Sequence, residues 1–144
     1  MTIAIIGGSG FIGSRLCQRL SNTGINFNII DKNPSKFFPD KVSIADIRDY
    51  KALSQAVQPC DVVINLAAEH RDDVSPKSLY DEVNVKGSEN IVKVCVEKGI
   101  QHIIFTSSVA VYGFAPPNTG EKGAINYFND YGRTKWEAEK VYKA

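Results

Sequence analysis

Residues 2–20 run from an apolar pentad through a glycine-rich turn into a helical pattern, and nothing else in the chain constrains the fold so tightly. Thr2-Ile3-Ala4-Ile5-Ile6 has the length and character of a buried strand. Gly7-Gly8-Ser9-Gly10-Phe11-Ile12-Gly13 follows, and Phe11, Ile12, Leu16 and Leu20 recur at the spacing of one apolar helical face. Gly7, Gly10 and Gly13 form a G-x-x-G-x-x-G pattern in which each glycine has its own task. The first turns tightly off the strand, the second admits a pyrophosphate to the backbone, and the third lets helix and strand pack closely. The helix N-terminus then offers its free N–H groups to the anion. A glycine-rich loop alone serves many turns, but strand before and helix after predict a dinucleotide site.

Composition sets the outer limits. A chain of 144 residues holds one domain with a real core, predicted to span 1–144. Hydrophobic residues at 43% and charged residues at 23% are ordinary for a globular domain. The net charge of +1 is spread along the chain without a basic block, so neither nucleic acid nor an anionic membrane surface is an expected partner. Cys17, Cys60 and Cys95 are odd in number, widely spaced and without a C-x-x-C, which reads as reduced thiols and no metal site. The opening apolar run lacks a charged leader and is too short to span a bilayer, so a cytoplasmic location is expected.

Strand and helix patterns then alternate. Asn22-Thr23-Gly24 stops the first helix, and Asn26 to Ile30 reads as a second strand ending at Asp31, 18 residues beyond Gly13. A carboxylate there can accept hydrogen bonds from the adenosine ribose and repel a 2′-phosphate, which favours NAD over NADP. Asp31 also suits a turn before Asn33-Pro34, and Lys32 blunts the discrimination. Val42 to Ala45 is a short strand, after which Asp46 is either an adenine contact or a helix N-cap. A helix is predicted from about Tyr50 to Gln58. Cys60 to Leu66 is apolar on both faces, as a central parallel strand should be, and small Ala67-Ala68 follow where backbone can lie against a flat ligand. Glu69 to Lys77 reads as a loop, in which His70 is a better candidate for chemistry than the strand residue His102. A long helix is predicted from about Ser78 to Lys98, stopped by Gly99, and a strand over 100–105 leads to Thr106-Ser107-Ser108. Four and a half strand–helix units predict a Rossmann-like, doubly wound parallel α/β sheet. The turn-rich patch from Gly113 to Gly123 falls past a strand's carboxyl end, where open sheets put ligands.

The last segment carries the chemistry. Tyr131 and Lys135 are four apart on a helix capped by Asn129 or Asp130, so they share one face. An ammonium beside a phenol favours phenolate, which a general acid or base needs. A Y-x-x-x-K pair is common by chance. Its weight comes from the glycine turn far upstream and from Ser108 after a sheet strand.

Together Gly7-x-x-Gly10-x-x-Gly13, Asp31, Asp46-Ile47, Leu66-Ala67-Ala68, Asn84-Val85-x-Gly87, Thr106-Ser107-Ser108-x-x-x-Tyr112-Gly113 and Tyr131-x-x-x-Lys135 resemble the extended short-chain dehydrogenase/reductases. The nearest group is the NAD-dependent epimerase/dehydratase family acting on nucleotide sugars, and the match runs through nearly the whole chain. The resemblance implies that Phe11 and Ile12 lie along the pyrophosphate and that Asp46 and Ile47 hold the adenine. Leu66, Ala67 and Ala68 would line the nicotinamide, and Asn84 would help order the cofactor. Ser108 would hydrogen-bond the sugar oxygen, Tyr131 would move the proton, and Lys135 would bind the nicotinamide ribose and tune Tyr131.

Two departures shape the expectation. Family dehydratases carry an acidic pair directly after the position of Ser108, whereas Val109 and Ala110 stand here and neither transfers a proton. An epimerase or keto-reductase is therefore expected, not a 4,6-dehydratase. The chain also ends at Ala144, where family members continue into a C-terminal substrate domain, so it resembles their N-terminal part, cut after the helix of Tyr131 and Lys135. It is expected to bind NAD, to turn over poorly, and to self-associate through an open sheet edge, for instance as a homodimer. A non-catalytic dinucleotide-binding module, or an inactive fragment, is the alternative.

Overall fold

The structure, a computed structural model, describes every residue from Met1 to Ala144. Strands β1 (Thr2–Ile6), β2 (Asn26–Asp31), β3 (Val42–Ile44), β4 (Val62–Asn65) and β5 (His102–Phe105) form one sheet in the order β3-β2-β1-β4-β5. Every pairing is parallel, with Ile3 opposite both Phe27 and Val62, and Ile64 opposite Ile104. Helices α1 (Phe11–Asn22), α2 (Tyr50–Ala56), α3 (Ser78–Tyr80) and α4 (Gly87–Glu97) lie between strands, and α5 (Asp130–Lys143) follows β5. The predicted doubly wound sheet is thus present. Gly24 at φ +70° and Gly99 at φ +68° stop α1 and α4 as expected, because a left-handed residue closes a helix end most easily without a Cβ.

Alternation along β1 sorts the core into two layers. Ile3 and Ile5 point to the α1 side, where Cys17, Leu20, Phe27, Ile29 and Ile64 close around them. Ala4 and Ile6 point the other way, into a larger cluster with Leu53, Val63, Ile91, Val94 and Cys95. Each fully buried Ile or Leu in these layers contributes roughly 1.5–3 kcal/mol of transfer free energy. The layers are unequally covered, since α1 alone lies on one face while α2, α4 and α5 share the other. On β5, at the sheet edge, Ile104 remains 55% exposed.

Two predicted elements differ in detail. The helix predicted over 78–98 is not uniform: Asp81–Lys86 between α3 and α4 is wound as a π-helix. Such a wide turn accommodates an extra residue, which apolar periodicity does not register. The apolar face predicted for α1 is also rotated. Gly13, Cys17 and Leu20 are buried, while Phe11 is 71% and Ile12 59% exposed. The tight contact made by Gly13 sets that rotation and leaves Phe11 and Ile12 at the open end of the sheet.

Candidate active site

The turn between β1 and α1 is closed by Gly7 at φ +79°, with its N–H donating to Ile30 O at 2.8 Å. A Cβ on Gly7 would lie 2.7 Å from Ala67 N, and one on Gly13 would lie 2.5 Å from Gly8 Cα. Those two glycines are therefore demanded by the protein's own packing. Gly10 is different, because a Cβ there would meet only Gly7 O, at 3.4 Å, and otherwise faces open space. The first intrahelical bond of α1 runs from Ser14 N to Gly10 O, and no backbone carbonyl takes the N–H groups of Phe11, Ile12 or Gly13. No acidic side chain stands in that first turn. Free N–H groups at an uncharged helix start, beside an open glycine, suit a pyrophosphate.

Asp31 lies at the end of β2 and is half-buried. One carboxylate oxygen accepts from Ser9 N at 3.0 Å and the other from Asn33 N at 2.9 Å. It thus forms the turn before Pro34 and stands against the glycine loop. The next strand end carries Asp46. Arg48 grips its carboxylate with Nε at 3.1 Å from both oxygens and Nη2 at 2.7 Å from Oδ2, and Arg48 N–H donates to Oδ1 at 2.9 Å. That hydrogen bonding, opposed by partial burial, holds the Asp46 carboxyl below its usual range. Asp46 is not the cap of α2. Asp49 takes that position, accepting from Ala52 N at 3.0 Å, because the turn over 46–49 delays the helix start. The Ile47 side chain is buried against Gly87, whose added Cβ would lie 2.5 Å from Ile47 Cδ1, and its carbonyl accepts from Asn90. The Ile47 side chain is thus taken up by packing and its carbonyl by Asn90.

Leu66, Ala67 and Ala68 continue from β4 and are half-buried, with Ala67 N donating to Asn65 Oδ1 at 3.0 Å. Asn84, in the π-helical turn, is buried and fully engaged. Its Oδ1 accepts from Glu69 N at 2.8 Å, and its Nδ2 donates to Glu69 O and to Thr134 Oγ1, both at 2.9 Å. Asn84 thus ties the backbone that follows Ala68 to α5. His70 is exposed and lies beside this backbone.

Ser108 caps a single turn of 3₁₀-helix, Val109–Tyr112, accepting from Ala110 N at 3.1 Å. The first turn of α5 is pressed onto that segment. A Cβ on Gly132 would collide with Ala110 O, so only glycine fits there. Asn129 caps α5 by accepting from Gly132 N at 2.8 Å. Tyr131 stands half-buried in the same turn, one residue from the contact. One turn further along, Lys135 is 3% exposed, its ammonium donating to Thr106 O and lying 4.1 Å from the centre of the Phe105 ring. Burial lowers the Lys135 pKa to about 8, with Glu139 opposing the shift.

The fold thus gathers Gly7 to Gly13, Asp31, Asp46, Ala67, Ser108 and the α5 pair at the carboxyl ends of the strands or on elements packed there. Sequence reasoning missed the residues that hold this arrangement. Arg133 in α5 makes a forked pair with Asp81 at 2.9 and 2.7 Å, and its Nη2 also reaches Asp130 at 3.2 Å. Thr134 and Gly132 fasten the same helix. Their signal was present only as small or polar residues flanking Tyr131 and Lys135.

A parallel sheet with a glycine turn at its switch point places the chain in the Rossmann-like class of folds. The chain belongs to the NAD-dependent epimerase/dehydratase family, whose pattern matches residues 3–144. It is 48% identical over 143 residues to the N-acetyl-α-D-glucosaminyl-diphospho-ditrans,octacis-undecaprenol 4-epimerase of Escherichia coli O157:H7, covering 98% of this chain and 42% of that protein. The structure is similar to the UDP-glucose 4-epimerase of Thermus thermophilus in complex with NAD, with a TM-score of 0.88 and 26% identity, over 99% of this chain and 50% of that one. The Brucella ovis UDP-glucose 4-epimerase in complex with NAD gives a TM-score of 0.88 at 30% identity, over 97% of this chain and 46% of that one. The chain spans less than half the length of the curated relatives it matches. NAD is the cofactor of this family, and the open, uncharged start of α1 fits it. No helix is long and apolar enough to cross a membrane.

Proposed function

We propose that this chain forms the cofactor-binding and proton-handling half of an NAD-dependent epimerase that inverts a carbinol carbon of a diphosphate-linked sugar. The observation that carries this reading is the contact of Gly132 with Ala110, which sets Tyr131 beside the segment capped by Ser108. When bound, NAD would supply the hydride acceptor and donor that such an inversion needs.

The N–H groups of Phe11, Ile12 and Gly13 hold the pyrophosphate, and Asp31 accepts from the adenosine ribose. Asp46, with the Ile47 backbone, faces the adenine. Leu66, Ala67 and Ala68 form the floor under the nicotinamide. Ser108 donates to the sugar oxygen, and Tyr131 takes its proton as the carbon is oxidised and gives it back on reduction. Lys135 supplies positive charge on the same helical face and a donor for the nicotinamide ribose. Because Val109 and Ala110 follow Ser108, the site has no acid–base pair there for removing water, which favours epimerisation over dehydration. The 48% identity to an enzyme acting on a diphospho-undecaprenol sugar makes a diphosphate-linked N-acetylhexosamine the first substrate to try.

The test is interconversion of the two C4 epimers of such a sugar by the protein that carries this chain, read by proton NMR. Replacing Tyr131 by Phe is expected to slow it by about a hundredfold or more while NAD still binds. Undiminished epimerisation in Tyr131→Phe overturns the role given to Tyr131, and NAD binding without any epimerisation by the unaltered protein favours a binding module.

A further inference from the structure

We infer that Glu139 is a positioning residue for the proposed reaction: by accepting from Ser107 it locks the segment that carries Ser108 onto the helix that carries Tyr131. The inference rests on the roles proposed for Ser108 and Tyr131. Ser107 Oγ donates to Glu139 Oε1 at 2.6 Å, between residues 32 apart in the chain. Glu139 Oε2 takes Lys143 Nζ at 3.0 Å, one turn further along α5, so the carboxylate is anchored on its own helix. Its side chain is 20% exposed, which limits the competition of water for the hydroxyl. A hydroxyl bonded to a carboxylate at this length is of the charge-assisted kind, stronger than a bond between neutral groups.

Two further contacts hold the same segment to α5. The Lys135 ammonium donates to Thr106 O, and Gly132 lies against Ala110 O. Lys135 has a proposed duty toward the nicotinamide ribose, and Gly132 gives closeness without a directed bond. The bond from Ser107 to Glu139 is directional and has no duty toward cofactor or sugar. It also acts next to the reacting group, since Ser107 immediately precedes Ser108. Ser108 itself accepts from Ala110 N at 3.1 Å, a bond within its own turn that does not reach α5. A misplacement of about 1 Å between reacting groups can cost up to about a hundredfold in rate, so a tie at this point bears on turnover.

The first measurement is amide hydrogen exchange in the protein that carries this chain, without cofactor or substrate. Ala110, Val111 and Gly113 have hydrogen-bonded N–H groups that report on the segment. In Glu139→Ala and in Ser107→Ala their exchange should speed by about tenfold, the scale of one such bond, while the amides of β1 and α1 keep their rates. The double variant should exchange no faster than either single one. Glu139→Gln, which keeps an oxygen for Ser107, should restore most of the protection. Unchanged rates at the three amides overturn the proposal, as does equal acceleration throughout the chain, which marks lost stability rather than lost local order. The second measurement is turnover in Ser107→Ala, which breaks the same bond yet leaves the Glu139 charge that favours the ammonium of buried Lys135. Its kcat should fall by about tenfold with NAD affinity unchanged. An unchanged kcat beside faster exchange overturns the positioning role while the proposed function stands. Absence of epimerisation in the unaltered protein overturns the proposed function, and the positioning role with it.

Discussion

The Asn84 side-chain amide donates to Thr134 Oγ1 across 2.9 Å, joining the π-helical turn to the helix of Tyr131 and Lys135. The other two bonds of the same amide hold Glu69 N–H and C=O, so one buried side chain ties the loop after β4 to α5. Replacing Asn84 by Ala strands a backbone donor and a backbone acceptor at Glu69, while the Thr134 hydroxyl keeps its bond to Asp130 O. A cost of about 2–4 kcal/mol is expected from unmet buried polar groups. Urea unfolding reads it directly. A loss below about 0.5 kcal/mol would show that water replaces the amide without cost.

The glycines of the opening turn should separate into two kinds. Gly10→Ala adds a methyl to open space, on a backbone at φ −74° that alanine adopts freely, so stability should hold while NAD binding falls. Gly13→Ala drives a Cβ to 2.5 Å from Gly8 Cα and 2.6 Å from Gly7 O, so the fold itself should suffer. Paired melting and calorimetry decide the matter. Intact NAD affinity in Gly10→Ala would show that the pyrophosphate lies elsewhere.

Lys135 is a buried cation whose pKa falls to about 8, below the ordinary lysine value. A lowered lysine pKa means that the unfolded chain holds the proton more tightly than the folded one. The resulting destabilisation is fully present below pH 8 and fades as pH rises toward the unfolded value near 10.4. Lys135→Met should therefore be more stable than wild type at neutral pH, though inactive. The gap should close above pH 8, by up to about 1.4 kcal/mol per pH unit. A gap that stays constant to pH 10.5 would mean that the ammonium is solvated.

Asp31 offers a test of cofactor choice. Asp31→Asn keeps an oxygen for Ser9 N and removes the charge that would repel a 2′-phosphate. The preference for NAD over NADP should drop by about tenfold, roughly one charge–charge contact near the surface. Titration with both dinucleotides reads the ratio. An unchanged ratio would assign the discrimination to another group.

The sheet and its order of elements were legible because parallel strands buried on both faces read as continuous apolar runs, as at 62–66. The glycine turn was legible because its neighbours in sequence are also its neighbours in space. The exposure of Phe11 and Ile12 was not. It follows from Gly13 meeting Gly8, a contact that hydrophobic periodicity does not weigh. The bonds from Asn84 to Thr134 and from Arg133 to Asp81 were equally hidden, since they span 50 and 52 residues and their partners carry no pattern. Asp46 gave two readings in sequence, and the turn over 46–49, which moves the cap to Asp49, removed one of them.

The π-helical turn Asp81–Lys86 has a consequence for the length of the chain rather than its composition. In an ordinary helix each residue turns the screw by about 100°. Deleting one residue here would let the segment relax to an ordinary α-helix, and would swing the preceding Asp81 and Leu79 around the axis relative to α4. Asp81 would leave Arg133, and the loop tied to Asn84 would lose its register with α5. Apart from the substitutions that break these bonds, the segment should be more sensitive to a change of residue count than to a change of side chain, an inheritance rule written into its winding.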